Sequence, residues 1–108
     1  MLTVEQMNAI AGRVTYKPGW SFEFRMGAHE GHHATIRTQL PDADDPGKTV
    51  PLTFECFLSP NDVADEESLI RWLAYRLGRI EIHESREFLR VDGRVVSDPH
   101  AEGADADR

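Results

Sequence analysis

The densest group of side chains able to do chemistry is Glu81-Ile82-His83-Glu84-Ser85-Arg86-Glu87, with Asp98-Pro99-His100 a short way downstream. His83 and Glu87 are four residues apart, so on a helix they share a side and flank Glu84. A hairpin folding back on that helix end would bring His100 to the same place. His83, Glu87 and His100 would then form a three-ligand divalent metal site with Glu84 as a base beside it, an arrangement suited to metal-assisted hydrolysis. The competing expectation is structural: Arg86, Arg90, Arg94 or the hairpin backbone satisfies Glu84 and His83 and fixes the helix end without turnover.

Two other stretches carry chemistry. The three histidines of His29-Glu30-Gly31-His32-His33 are spaced to hold zinc or nickel, but they fall in a connection between strands, which reads as a solvated hairpin tip. Lys17-Pro18-Gly19-Trp20 is a turn that ends a helix and starts a strand, leaving Trp20 either packed in the core or partly exposed as a contact anchor. The single cysteine, Cys56, has no partner for an intramolecular disulfide and falls on the apolar side of a strand as a small buried residue. There is no glycine-rich phosphate loop, no Gly-x-Ser-x-Gly elbow and no Cys-His pair near in sequence.

The elements that must hold these residues follow from hydrophobic spacing. Thr3-Val4-Glu5-Gln6 has the form of a capping box, and Val4, Met7, Ile10, Ala11 and Val14 recur at threes and fours, predicting a helix over about 4–14. From Trp20 the period becomes two, with Phe22, Phe24 and Met26 alternating against Ser21, Glu23 and Arg25. Ala34, Ile36, Thr38 and Leu40 repeat the pattern as an antiparallel return strand, and Val50, Leu52, Phe54, Cys56 and Leu58 give a third. Ser59-Pro60-Asn61-Asp62 and the following acids suit the start of a long helix, whose stripe is Leu69, Leu73, Leu77 and Ile80, with Trp72 on the flank, reaching about Glu87 or Phe88. Residues 89–91 and 94–96 around Asp92-Gly93 have the form of a small hairpin. The fold expected is α+β: a two-layer sandwich of helix, three-stranded antiparallel sheet, long helix and short C-terminal hairpin, with both helices on one face.

The 108 residues suit a single α+β domain over 1–100 with a frayed acidic tail over 101–108. A net charge of −7 argues against nucleic-acid binding by phosphate neutralisation. Double-stranded RNA-binding domains share this order of elements, but they need basic residues at the start of the last helix, where this chain has Asp62, Asp65, Glu66 and Glu67. The arginine-bearing half of the long helix is the remaining route to nucleic acid. Charge is uneven: residues 42–67 hold eight acidic side chains against Lys48 alone, while residues 68–94 hold six arginines against four acids. The acidic band reads as a solvated edge or, functionally, as a mimic of nucleic acid on a host protein's basic site. With no basic n-region ahead of an apolar run and no apolar stretch of membrane-spanning length, the expected address is the cytoplasm, with no membrane contact.

Val14-Thr15-Tyr16-Lys17-Pro18-Gly19-Trp20, together with Ile82-His83-Glu84-x-Arg86-Glu87-Phe88, Arg90-Val91-Asp92-Gly93 and Asp98-Pro99-His100, resembles a family of small uncharacterised proteins encoded by actinobacterial phages and their hosts. The likeness covers about residues 14–100, and the ten arginines among twelve basic residues fit a GC-rich genome. It implies an origin more than an activity, and it puts weight on the two matching segments rather than on residues 29–33. The central stretch departs from the family pattern, so a partner specific to one member is not carried over. The function expected is that of a phage-encoded interaction module that needs no cofactor and binds a host or phage protein. Its anchors would be Trp20, Lys17, Arg86 and Arg90, with Trp72 as a further aromatic candidate. The alternative is the metal-dependent hydrolase built on His83, Glu84, Glu87 and His100.

Overall fold

A computed structural model of the chain describes residues 1–27, 31–80 and 89–95. The capping box forms: the Thr3 hydroxyl accepts from the Gln6 N–H at 3.1 Å, and the Thr3 N–H donates to Gln6 Oε1 at 2.9 Å. The helix it opens, α1, is Val4–Ala11 and stops short of position 14, its end closed by the Gly12 N–H donating to the Asn8 carbonyl at 3.0 Å. Val14–Thr15 is instead a strand, β1. The spacing that placed Val14 on the helix stripe serves equally well for one buried strand residue, and pairing with a distant segment decides between them.

That distant segment is the C-terminal hairpin of β5, Arg90–Val91, and β6, Arg94–Val95. Its turn residues Asp92 and Gly93 have φ of 51° and 81°, the left-handed pair a two-residue hairpin turn demands. The hairpin pairs with β1 through Val14 against Val91 and Thr15 against Arg90, giving a second three-stranded sheet in the order β1-β5-β6 where a single sheet was expected. The first sheet is the expected one: β2 (Ser21–Met26), β3 (His32–Pro41) and β4 (Thr49–Leu58), antiparallel in that order. Because β3 begins at His32, both His32 and His33 belong to a strand and point to opposite faces, which corrects their placement in a loose hairpin tip.

The start signals around position 60 resolve into two features. Ser59 donates from its N–H and hydroxyl to Asp62 at 2.8 and 2.9 Å, closing a 3-10 turn over Pro60–Val63. The Asp65 carboxylate accepts from the Ser68 N–H at 2.8 Å and leads into α2, Glu66–Ile80. The backbone hydrogen bond from Ser68 holds the Asp65 carboxyl below its ordinary range. The expected continuation of α2 to 87 or 88, residue 96 of the hairpin and the tail over 101–108 lie outside the described residues.

Phe24, Ala34, Ile36, Cys56 and Leu58 share one face of β2-β3-β4 and are buried with Met7 and Ile10 of α1 and with Leu69, Leu73 and Leu77 of α2. Trp72 joins them, its ring 6.3 Å from that of Phe24 at 61°. At 9% exposure it is a core residue, which corrects its place among the surface anchors. Each such large side chain stabilises the fold by about 1.5–3 kcal/mol relative to its exposed state. Arg13 ties the elements together from outside, its guanidinium 2.6 Å from Glu66 Oε1 at the start of α2 and 2.6 Å from Asp92 Oδ2 in the hairpin turn. The Asp92 and then the Glu66 hydrogen bonds raise Arg13 above its ordinary pKa, and Arg13 holds the Asp92 carboxyl below its own.

Candidate functional site

The Trp20 N–H donates to the Lys17 carbonyl at 3.2 Å with Gly19 at φ 84°, so residues 17–20 form a turn with its left-handed position on glycine. The turn lies against β3: a Cβ at position 19 would stand 2.6 Å from Gln39 Cγ. This close seat delivers Trp20 to the head of β2, half-buried, with its ring edge-on to Tyr16 at 4.8 Å and 69°. Trp20 Nε1 is buried and has no hydrogen-bond acceptor among the described residues. Leaving a buried donor unmet costs about 1–3 kcal/mol, and native structures rarely carry that cost without a reason.

Beside this ring an open groove of about 850 Å³ runs between β1 and β2, with Val14 and Thr15 on one side and Trp20, Phe22 and Phe24 on the other. Lys17, Arg37 and Glu23 supply its charges among the described residues. Asn8 stands at one end and clamps the edge of β2, its Nδ2 donating to the Phe24 carbonyl at 2.9 Å and its Oδ1 accepting from the Phe24 N–H at 2.8 Å. The Phe24 peptide groups therefore point away from β3, and strand alternation turns those of Phe22 the same way, into the groove.

Of the residues marked in the sequence, Lys17 and Trp20 come together at this groove. Arg90 is on β5, across β1 from it, opposite Thr15. His29, His83, Glu84, Arg86, Glu87 and His100 lie outside the described residues. Among the described residues no group of three or more histidine, cysteine, aspartate or glutamate side chains stands close enough to hold a metal ion. The arginines of α2 divide: Arg71 pairs with Glu67 at 2.9 Å, and Arg76 donates from Nε to Cys56 Sγ at 3.2 Å, over a thiol buried as the alternation predicts.

Asn8, Phe22, Glu23 and Arg37 were not marked by sequence reasoning. Period two does place Phe22 and Glu23 on opposite faces of β2, but Asn8 on a helix reads only as a polar face. The sheet face turned away from the helices holds a second polar cluster. Arg25 donates to Thr35 Oγ1 and to Glu55 Oε2 at 3.0 Å, and His33 Nε2 lies 3.1 Å from Glu55 Oε2 without the alignment a hydrogen bond requires. His33 also stacks on the exposed Phe57 at 4.7 Å and 20°. Arg25 and Glu55 cover Thr35, which is only 2% exposed on this face. No helix among the described residues is long and apolar enough to cross a membrane. No protein-family model, curated protein or solved structure matches the chain.

Proposed function

We propose that the chain is an interaction module of the phage-encoded kind its sequence resembles, acting in the host cytoplasm without a cofactor by binding a host or phage protein at the groove beside Trp20. The carrying observation is the buried indole N–H that has no acceptor among the described residues: a partner that supplies one relieves a standing cost and gains affinity. The ring adds the rigid aromatic surface common at the centres of interfaces, while Lys17 and Arg37 supply charge at its side. Nucleic acid is the weaker fit, since α2 opens with Glu66 and Glu67 and Arg71 is engaged by Glu67.

Affinity capture from an actinobacterial host lysate tests this with three baits compared by quantitative mass spectrometry. Trp20→Phe keeps a ring and removes the N–H, and Arg37→Glu reverses a groove charge. Phe57→Ser alters an exposed residue on the opposite edge strand and serves as the control. The expected result is one abundant partner, depleted with the first two baits and retained with the third. Equal capture by wild type and Trp20→Phe rules the groove out as the binding surface.

A further inference from the structure

We propose that the groove, taken as the binding surface, receives an extended peptide segment of the partner, added as a strand between β1 and β2. The inference deepens the reading above and rests on it. Its basis is which peptide groups face the gap. Asp92 donates its N–H to the Arg13 carbonyl at 3.1 Å, so Arg13 bonds toward β5 and Val14, one residue on, directs its N–H and C=O away from β5. The two-residue turn after Val91 agrees, since it commits the Val91 peptide groups to β6. On the other side, the Asn8 clamp fixes the outward parity of β2, which leaves the N–H and C=O of Phe22 pointing into the same groove. Neither Val14 nor Phe22 has an outward backbone partner among the described residues.

A groove bordered by backbone donors and acceptors of two strand edges that have no partner among the described residues, with Trp20 in its lining, is complementary to a peptide backbone more than to a compact small molecule. An inserted strand would sit ~4.8 Å from each edge, beside the Trp20 ring. It would also join β1-β5-β6 and β2-β3-β4 into one continuous sheet. Asn8 already occupies Phe24, so the pairing is short and centred on Phe22. Arg37 is exposed on the lining, which favours a segment carrying an acidic side chain at that end. The outer edge of β4 is the poorer site, because Pro51 removes a donor from it.

The test selects ten-residue peptides from a random displayed library on the full chain and synthesises the best binder. The binder is titrated against ¹⁵N-labelled protein, with the Trp72 indole as internal reference for that of Trp20. The expected result is a large shift of the Trp20 indole and of the Phe22 and Val14 amides, and an affinity reduced about tenfold by Trp20→Phe or, for an acidic peptide, by the exposed Arg37→Glu. N-methylation along the peptide should abolish binding at two residues an odd number of positions apart, one whose N–H bonds Phe22 and one whose N–H bonds Val14, because successive N–H groups of a strand point to opposite edges. A binder that shifts the Trp20 indole but tolerates N-methylation at every position overturns strand insertion and leaves the groove as the binding surface. Binders that leave the Trp20 indole unmoved, or a library that yields none, overturn both.

Discussion

Asn8 does with one side-chain amide what a neighbouring strand does with two peptide groups, meeting both the N–H and the C=O of Phe24. Replacing it with alanine leaves both groups without a partner at a part-buried site, and Asn8→Ala is expected to lower unfolding free energy by about 1–3 kcal/mol in urea titration. Asn8→Asp keeps the acceptor but sets a carboxylate against the Phe24 carbonyl, so its loss should be at least as large; wild-type stability in either variant means the clamp contributes nothing. Gly19 presents a separable case, because its φ of 84° and its 2.6 Å approach to Gln39 Cγ both resist a side chain. Gly19→Ala should cost about 2–4 kcal/mol, combining left-handed strain of ~1–2 kcal/mol with the steric clash. Adding Gln39→Ala removes the clash and not the strain, so the double variant should recover part of the loss. Full recovery would show that the backbone angle carries no cost, and no recovery that the contact with Gln39 carries none.

At the scale of elements, Arg13 is the side chain that joins the end of α1, the start of α2 and the β5–β6 turn, and its contacts are exposed at both ends. Exposed pairs contribute modestly and are screened by salt, so Arg13→Met should lower Tm by a few degrees at most at pH 7 and low salt, and by less in molar salt. The pH dependence has a definite sign. Arg13 holds the Asp92 carboxyl below its ordinary 3.8, so the tie is fully present above that value and is lost as pH falls through the depressed one. The Tm gap between wild type and variant should therefore begin to narrow below about pH 4 and close once the pH is well under the depressed value, and a gap undiminished at about pH 2 would locate the effect in something other than the Asp92 pair. This tie also shows what was legible in the sequence. The capping box, the three strands of the main sheet and the Asp92-Gly93 turn rest on neighbours in sequence, so local pattern found them. Whether Val14 continues a helix or starts β1 depends on β5 far along the chain, and the division of one helix start into a 3-10 turn and a later cap depends on Ser59 and Asp65 each finding its own partner. The groove was legible by half: the Pro-Gly turn gave Lys17 and Trp20, while Asn8 and the outward parity of Phe22 exist only once α1 is laid against β2.

At the scale of the molecule, one buried cluster draws on both helices and the main sheet and reaches from Met7 to Leu89, so the elements should open together. Cys56 gives a direct probe of this, since it is 3% exposed on β4 beneath Arg76 of α2. At that exposure a thiol reagent needs an opening of the fold to react, and lifting α2 from the sheet is one that clears Arg76 from the thiol. If that opening is the global one, the free energy obtained from native-state labelling rates should equal the urea value within about 1 kcal/mol and fall with urea along the same slope. Labelling that is much faster and insensitive to urea would mean that α2 detaches by itself, with the sheet left standing and its core face bare. The comparison bears on binding as well, because a strand can add to the groove at little entropic cost only if β1 and β2 are already held in place. β2 is pinned by β3 and by Asn8, whereas β1 is a two-residue strand anchored through the hairpin and Arg13. Arg13→Met should accordingly weaken any peptide that bridges both edges by more than the small gain in Cys56 labelling that its stability loss accounts for. Equal affinity for wild type and variant would mean that β2 alone carries the contact.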